Sequence, residues 1–173
     1  MRVLSFDISS STIGYGVLEK NKKIKLIDSG YFKPLKDECS IFKSLSEVRK
    51  EVAKLLDKYS PDVVAIEDIT KFMPKKSSAN TIIILAVYNR FIGQYCYEYM
   101  EKEPVLLPVI TIRNTIKISN KIPEKEEIPS VLEKRLKIKW KYELNRNENI
   151  RSENYDRADG IAVGLAYLMR LDN

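Results

Sequence analysis

The chain has 173 residues, 44% hydrophobic and 31% charged, a globular rather than disordered composition and the length of a single domain, 1–173. Lys and Arg number 30 against 24 Asp and Glu, and the net charge of +6 favours an anionic partner such as nucleic acid. The sequence has no histidine, which excludes His-dependent triads, His–Cys zinc sites and imidazole bases.

Arg2-Val3-Leu4-Ser5-Phe6 is a short apolar run of strand formers that ends on Asp7. Ser9 to Thr12 make a polar turn, and Ile13 to Leu18 read as the second strand of a hairpin. On this stretch alone Asp7 reads as a turn cap. Ile24 to Phe32 predicts a third strand, completing an antiparallel meander. Ser40 is placed to cap a helix to Tyr59, with Ile41, Leu45, Val48, Val52, Leu55 and Leu56 at helical spacing. Val63-Val64-Ala65-Ile66 predicts a central strand covered on both faces, and it too ends on acid, Glu67 then Asp68. The loop from Thr70 to Asn80 holds Lys71, Phe72, Lys75 and Lys76; bases beside an aromatic suit a nucleic-acid strand.

A long helix is expected from Ser78 to Met100, apolar around most of its circumference, so a thick core or a second subunit must cover it. Val105 to Ile112 predicts a fifth strand, leading into Arg113, Lys117, Lys121 and Lys125 as a basic, nucleic-acid-binding stretch. Pro123 to Lys137 is a helix candidate with Ile128, Val131, Leu132 and Leu136 inward, followed by a polar, basic segment to Asn149. The last helix, Asn154 to Leu168, opens with Asp156 and Asp159, neighbours on one face.

Cys39 and Cys96 form no motif and read as free thiols of a reducing compartment. No signal-peptide h-region occurs, and the longest apolar run, Ile82 to Val87, is too short to span a membrane, so a cytoplasmic protein without membrane association is expected. Neither GxGxxG nor Walker A is present.

The acids acquire meaning together. If the first and fourth strands are parallel neighbours, Asp7 and Glu67 meet at one sheet edge, and a helix across that edge adds Asp156 and Asp159. Four such charges repel one another, and an all-oxygen, His-free set suits Mg²⁺ or Mn²⁺. Two ions roughly 4 Å apart can activate water and stabilise the leaving oxygen of a phosphodiester. Glu67 and Asp68 adjoin on a strand, so only one of them faces such a site; Glu153 is a fringe ligand candidate.

A strand-terminal Asp with SSSTIGYG, then VVAIED, then YDRADGIAVGLAY, in this order and chain length, resembles the RuvC-like Holliday junction resolvases of the RNase H-like superfamily. The resemblance implies an α/β, RNase H-like fold: a five-stranded mixed sheet, antiparallel meander plus parallel strands, flanked by helices. It implies Asp7, Glu67, Asp156 and Asp159 as metal-binding catalytic acids, choosing Glu67 over Asp68, with two Mg²⁺ or Mn²⁺ ions per site. It implies a homodimer through the helix from Ser78 to Met100, resolving four-way DNA junctions. Two features depart from the family. Thr70 stands where an aromatic wedge is frequent, with Phe72 two residues on, and the basic segment Arg113 to Lys125 has no glycine. The match to bacterial members is loose, which fits a viral, phage or archaeal branch; a viral protein would act in the host cell. The rival readings are an RNase H-like nuclease for flap DNA, RNA/DNA hybrid or precursor RNA, and a non-catalytic nucleic-acid-binding module. An actin-like ATPase would need a second nucleotide-binding half, for which 173 residues leave no room.

Overall fold

The computed structural model describes residues 1–35, 40–69 and 79–171. Its sheet comprises β1 (Arg2–Ile8), β2 (Ile13–Lys20), β3 (Ile24–Phe32), β4 (Val63–Glu67) and β5 (Val105–Leu107), in the order β3-β2-β1-β4-β5. β1, β2 and β3 pair antiparallel as the expected meander; β1–β4 and β4–β5 are parallel. The helices are α1 (Ile41–Tyr59), α2 (Ala79–Met100), α3 (Val109–Ile116), α4 (Ile128–Leu136) and α5 (Glu153–Arg170).

The two-residue period of β1 sorts its side chains between two cores. Leu4, Phe6 and Ile8 pack with Val48, Val52, Leu56, Tyr88 and Ile92 of α1 and α2. Val3 packs on the other face with Ile112, Ile128, Leu132, Ile161 and Leu165 of α3, α4 and α5. Ser5 shares Val3's face, where its hydroxyl donates to Gly160 O at 2.7 Å. By the same alternation Asp7 points toward α5. In β4, Val64 and Ile66 join the α1/α2 core and Ala65 joins the α5 core, so Glu67 also falls on the α5 face.

The predicted fifth strand is corrected: it ends at Leu107, and 109–116 is helix. The run Val109-Ile110-Thr111-Ile112 has strand propensity. Pro108, with no N–H to donate to a ladder, starts the helix instead, and its carbonyl accepts from Ile112 N at 3.0 Å. Ile112 and Ile116, one turn apart, then bury against α5, and tertiary burial overrides propensity. The expected helix from Pro123 begins later. A Glu124–Glu127 capping box holds the short turn Lys125–Glu127, and α4 follows with Pro129 in its first turn. Ser40 stands at the N-cap of α1 but makes no side-chain cap bond.

Candidate active site

Two approaches of backbone to backbone put α5 over the sheet edge. A Cβ at Gly14 would lie 1.9 Å from Asp156 O, and one at Gly160 would lie 2.6 Å from the Gly14 carbonyl carbon. Helix and strand touch with no side chain between them, and that contact delivers the first turns of α5 to the end of β1.

Asp7 sits in register with Gly14 of β2, and its neighbour Phe6 with Ile66 of β4, so Asp7 and Glu67 close two parallel strands at the same edge. Asn89 of α2, buried, donates to Glu67 O at 2.8 Å and fixes the end of β4. Asp68 turns to the opposite face and pairs with Arg90 of α2 at 3.0 Å. The four acids thus come from three elements to one place.

Their electrostatics are those of an overcrowded anionic cluster. Burial, then the charges of Glu67 and Asp159, push the Asp7 carboxyl well above its ordinary value. Burial and Asp159 raise Glu67 to about 7, against the opposing pull of Arg113 and Lys125. Burial raises Asp159 to about 6, again against Lys125 and Arg113. Asp156 is held by a hydrogen bond from Lys125 Nζ at 2.8 Å, and the same ammonium lies 3.4 Å from Asp159 Oδ2. Burial works against the Lys125 charge, but Asp159 and Asp156 outweigh it and raise its pKa.

Lys125 therefore sits against the acid cluster with its side chain partly exposed, and Arg113 acts on Glu67 and Asp159 from α3. Lys121 pairs with Glu127 at 3.6 Å. The Lys117 backbone carbonyl accepts from Arg135, while Lys117 itself follows the end of α3. Lys71, Phe72, Lys75 and Lys76, like Thr70 and Cys39, lie outside the described residues. Glu153, the fringe-ligand candidate, is taken up by cations. It bonds Lys33 at 2.5 Å and Arg151 at 3.1 Å, which pull it down to about 2. Chain order gave no signal for Lys125 or Arg113 at the acids, because their positions depend on the helical path after Pro108.

Among the described residues no three acids stand close enough to share an ion as arranged; Lys125 occupies the space between Asp156 and Asp159. The donor chemistry fits a divalent ion nonetheless. All four groups are carboxylates, the hard oxygen ligands that Mg²⁺ and Mn²⁺ take, and burial, reinforced by neighbouring acids, raises the pKa of Asp7, Glu67 and Asp159 despite Lys125 and Arg113.

The sequence pattern defining the crossover junction endodeoxyribonuclease RuvC family matches residues 3–103, which contain Asp7 and Glu67. The crossover junction endodeoxyribonuclease RuvC of Fusobacterium nucleatum is 35% identical over 92 residues, 50% of this chain and 48% of that protein, so this match spans about half the relative's length. The RuvC of Prochlorococcus marinus strain MIT 9312 is 27% identical over 174 residues, 97% of this chain and 96% of that one. In fold, the chain is similar to T. thermophilus RuvC in complex with its Holliday junction substrate, with TM-score 0.76 and 15% identity over 99% of this chain and 95% of that one. It is also similar to the Fowlpox virus resolvase in complex with Holliday junction DNA, with TM-score 0.54, 22% identity and 100% of both chains covered. The fold is that of these RuvC structures.

Proposed function

Because the chain belongs to the crossover junction endodeoxyribonuclease RuvC family, we propose that it is a single-domain endonuclease that resolves four-way DNA junctions by metal-dependent phosphodiester hydrolysis. The observation that carries this reading is the meeting of Asp7, Glu67, Asp156 and Asp159 at one sheet edge, where burial and neighbouring charges raise the pKa of Asp7, Glu67 and Asp159. A non-catalytic binding module would gain nothing from buried acids, which repel phosphate.

In this reading Asp7, Glu67, Asp156 and Asp159 hold two Mg²⁺ or Mn²⁺ ions. The ions supply a nucleophile at neutral pH and charge stabilisation for the leaving oxygen. The chain's own part is positional. Ser5 and the Gly14–Gly160 contact keep the α5 acids at fixed distance from the β-strand acids. Lys125 holds Asp156 and Asp159 together. Arg113 adds a second cation beside Glu67, suited to a phosphate oxygen of the substrate.

A homodimer through α2 completes the reading, since a junction with two-fold symmetry receives one site on each of two strands. Only Tyr88, Asn89, Ile92 and Cys96 of α2 are buried. Ile83 is 61% exposed and Val87 37%, an apolar face left open beside that narrow buried stripe.

The test is cleavage of a four-way junction, a flap, a linear duplex and an RNA/DNA hybrid, each in Mg²⁺ and in chelator. Preferential junction cleavage in Mg²⁺ alone is expected. Preference for the flap or hybrid would transfer the same acids to another substrate.

A further inference from the structure

The segment 137–152, between α4 and α5, lies beyond the residues matched by the family pattern. It is folded as a short arm whose root is heavily tied. Trp140 is buried, with the Arg157 guanidinium 4.3 Å from its ring centre. Asn154, 2% exposed, clasps both limbs: its amide oxygen accepts from Glu143 N at 2.8 Å, and its amide nitrogen donates to Glu143 O and Arg151 O. The Glu143 carboxylate accepts from Tyr31 Oη at 3.0 Å and faces Arg151 and Arg157, each 3.7 Å away. Lys33 and Arg151 close on Glu153. Beyond this root the limbs meet once more, at the Leu144–Ile150 bridge. The Asn145 side chain accepts from Asn147 N and Asn149 N, and Glu148 adopts a left-handed φ of 61°, so the tip is a formed turn.

The acids at the root are consumed by this network, and three cations of the segment are not. Lys139, Lys141 and Arg146 are exposed, and none forms an ion pair among the described residues. Tyr142, Leu144 and Ile150 stand exposed among them. Exposed cations interleaved with exposed apolar groups fit a polymer that offers phosphates beside sugar and base faces. The arm is also placed for such a polymer. Its anchor Tyr31 is level with Gly14, which is level with Asp7. Two strand spacings, about 10 Å, therefore separate the anchor from the acid.

We propose that the 137–152 arm is a nucleic-acid contact of its own, in which Lys139, Lys141 and Arg146 hold substrate phosphates beside the one at the acid site. This rests on the nuclease reading above. The arm adds affinity for the strand and takes no part in the hydrolysis.

The experiment compares wild-type protein with the triple variant Lys139→Ala, Lys141→Ala, Arg146→Ala. It measures binding of a fluorescent four-way junction across a salt series in Ca²⁺, and cleavage at saturating junction in Mg²⁺. The variant should bind at least about tenfold more weakly, with a log–log salt slope shallower by about 2 to 3, at ~0.9 for each phosphate no longer neutralised. Its cleavage rate at saturation should stay within about twofold of wild type, and the charge-conserving set Lys139→Arg, Lys141→Arg, Arg146→Lys should restore both affinity and slope. Unchanged affinity and slope, in a protein whose wild type cuts junctions, overturn the arm's role alone. If the wild type neither binds nor cuts junctions, the reading of the site falls, and the role of the arm with it.

Discussion

Asp7, Glu67 and Asp159 are costly to the fold at neutral pH. The folded pKa values of Glu67 and Asp159, about 7 and about 6, lie above the ordinary 4.5 and 3.8. Between those limits the native state holds more protons than the unfolded state, so stability falls as pH rises from about 4 to about 7. A divalent ion binding only the native cluster reverses this loss. Thermal melts in chelator should therefore show lower stability at pH 8 than at pH 5, and added Mg²⁺ should raise Tm more at pH 8. In Glu67→Gln the chelator profile should flatten. A metal shift equal at both pH values would mean that the acids do not share an ion. Glu153 works with the opposite sign: its stabilising pair with Lys33 and Arg151 is intact above about 4.5 and lost as pH falls toward about 2, outside that window. Asp7 and Glu67 were legible because a charged residue at the end of an apolar strand needs compensation. Lys125 was not, since a lysine on a basic stretch looks the same whether it meets phosphate or carboxylate.

The strands were readable from local pattern: β1 to β4 follow apolar runs bounded by polar turns, and β3 spans Ile24–Phe32 as expected. α3 escaped that pattern because Val109 to Ile112 has the composition of a strand, and only its packing on α5 decides otherwise. The contact of α5 with β2 was hidden for a related reason. Gly14 and Gly160 are 146 residues apart in number, and nothing local announces that they touch. That contact is testable. Helix propensity alone would make Gly160→Ala stabilising by about 1 kcal/mol. A methyl 2.6 Å from the Gly14 carbonyl carbon and 2.7 Å from Tyr15 N meets backbone that cannot swing aside. Overpacking of this kind costs about 1–3 kcal/mol, so Tm should fall by several degrees, roughly 2–4 °C per kcal/mol. Junction cleavage should fall at least about tenfold, as Asp156 and Asp159 move away from Asp7, a displacement of order 1 Å being enough for a far larger loss. A variant as stable and active as wild type would show that α5 is not held by this contact.

The apolar circumference of α2 predicted cover from more than one side, and among the described residues the cover comes from the side facing α1 and the sheet. Tyr88 is buried and shares a 2.6 Å hydrogen bond with Ser44, so substitution there would damage the core. Val87 is the discriminating position. Wild type should behave in solution as a dimer of the 20.1 kDa chain, and Val87→Asp as a folded monomer that no longer makes paired incisions. A wild-type monomer that still cuts opposing strands in pairs would contradict the two-fold arrangement. The central claim, that the acids at the sheet edge cut junction DNA, is tested most directly by incubating a four-way junction in Mg²⁺ with wild type and with Asp7→Asn, a substitution that removes a ligand charge at nearly constant volume. Wild type should convert the junction into two nicked duplexes, while Asp7→Asn should bind it undiminished and leave it uncut; product formed by Asp7→Asn at the wild-type rate would contradict the assignment.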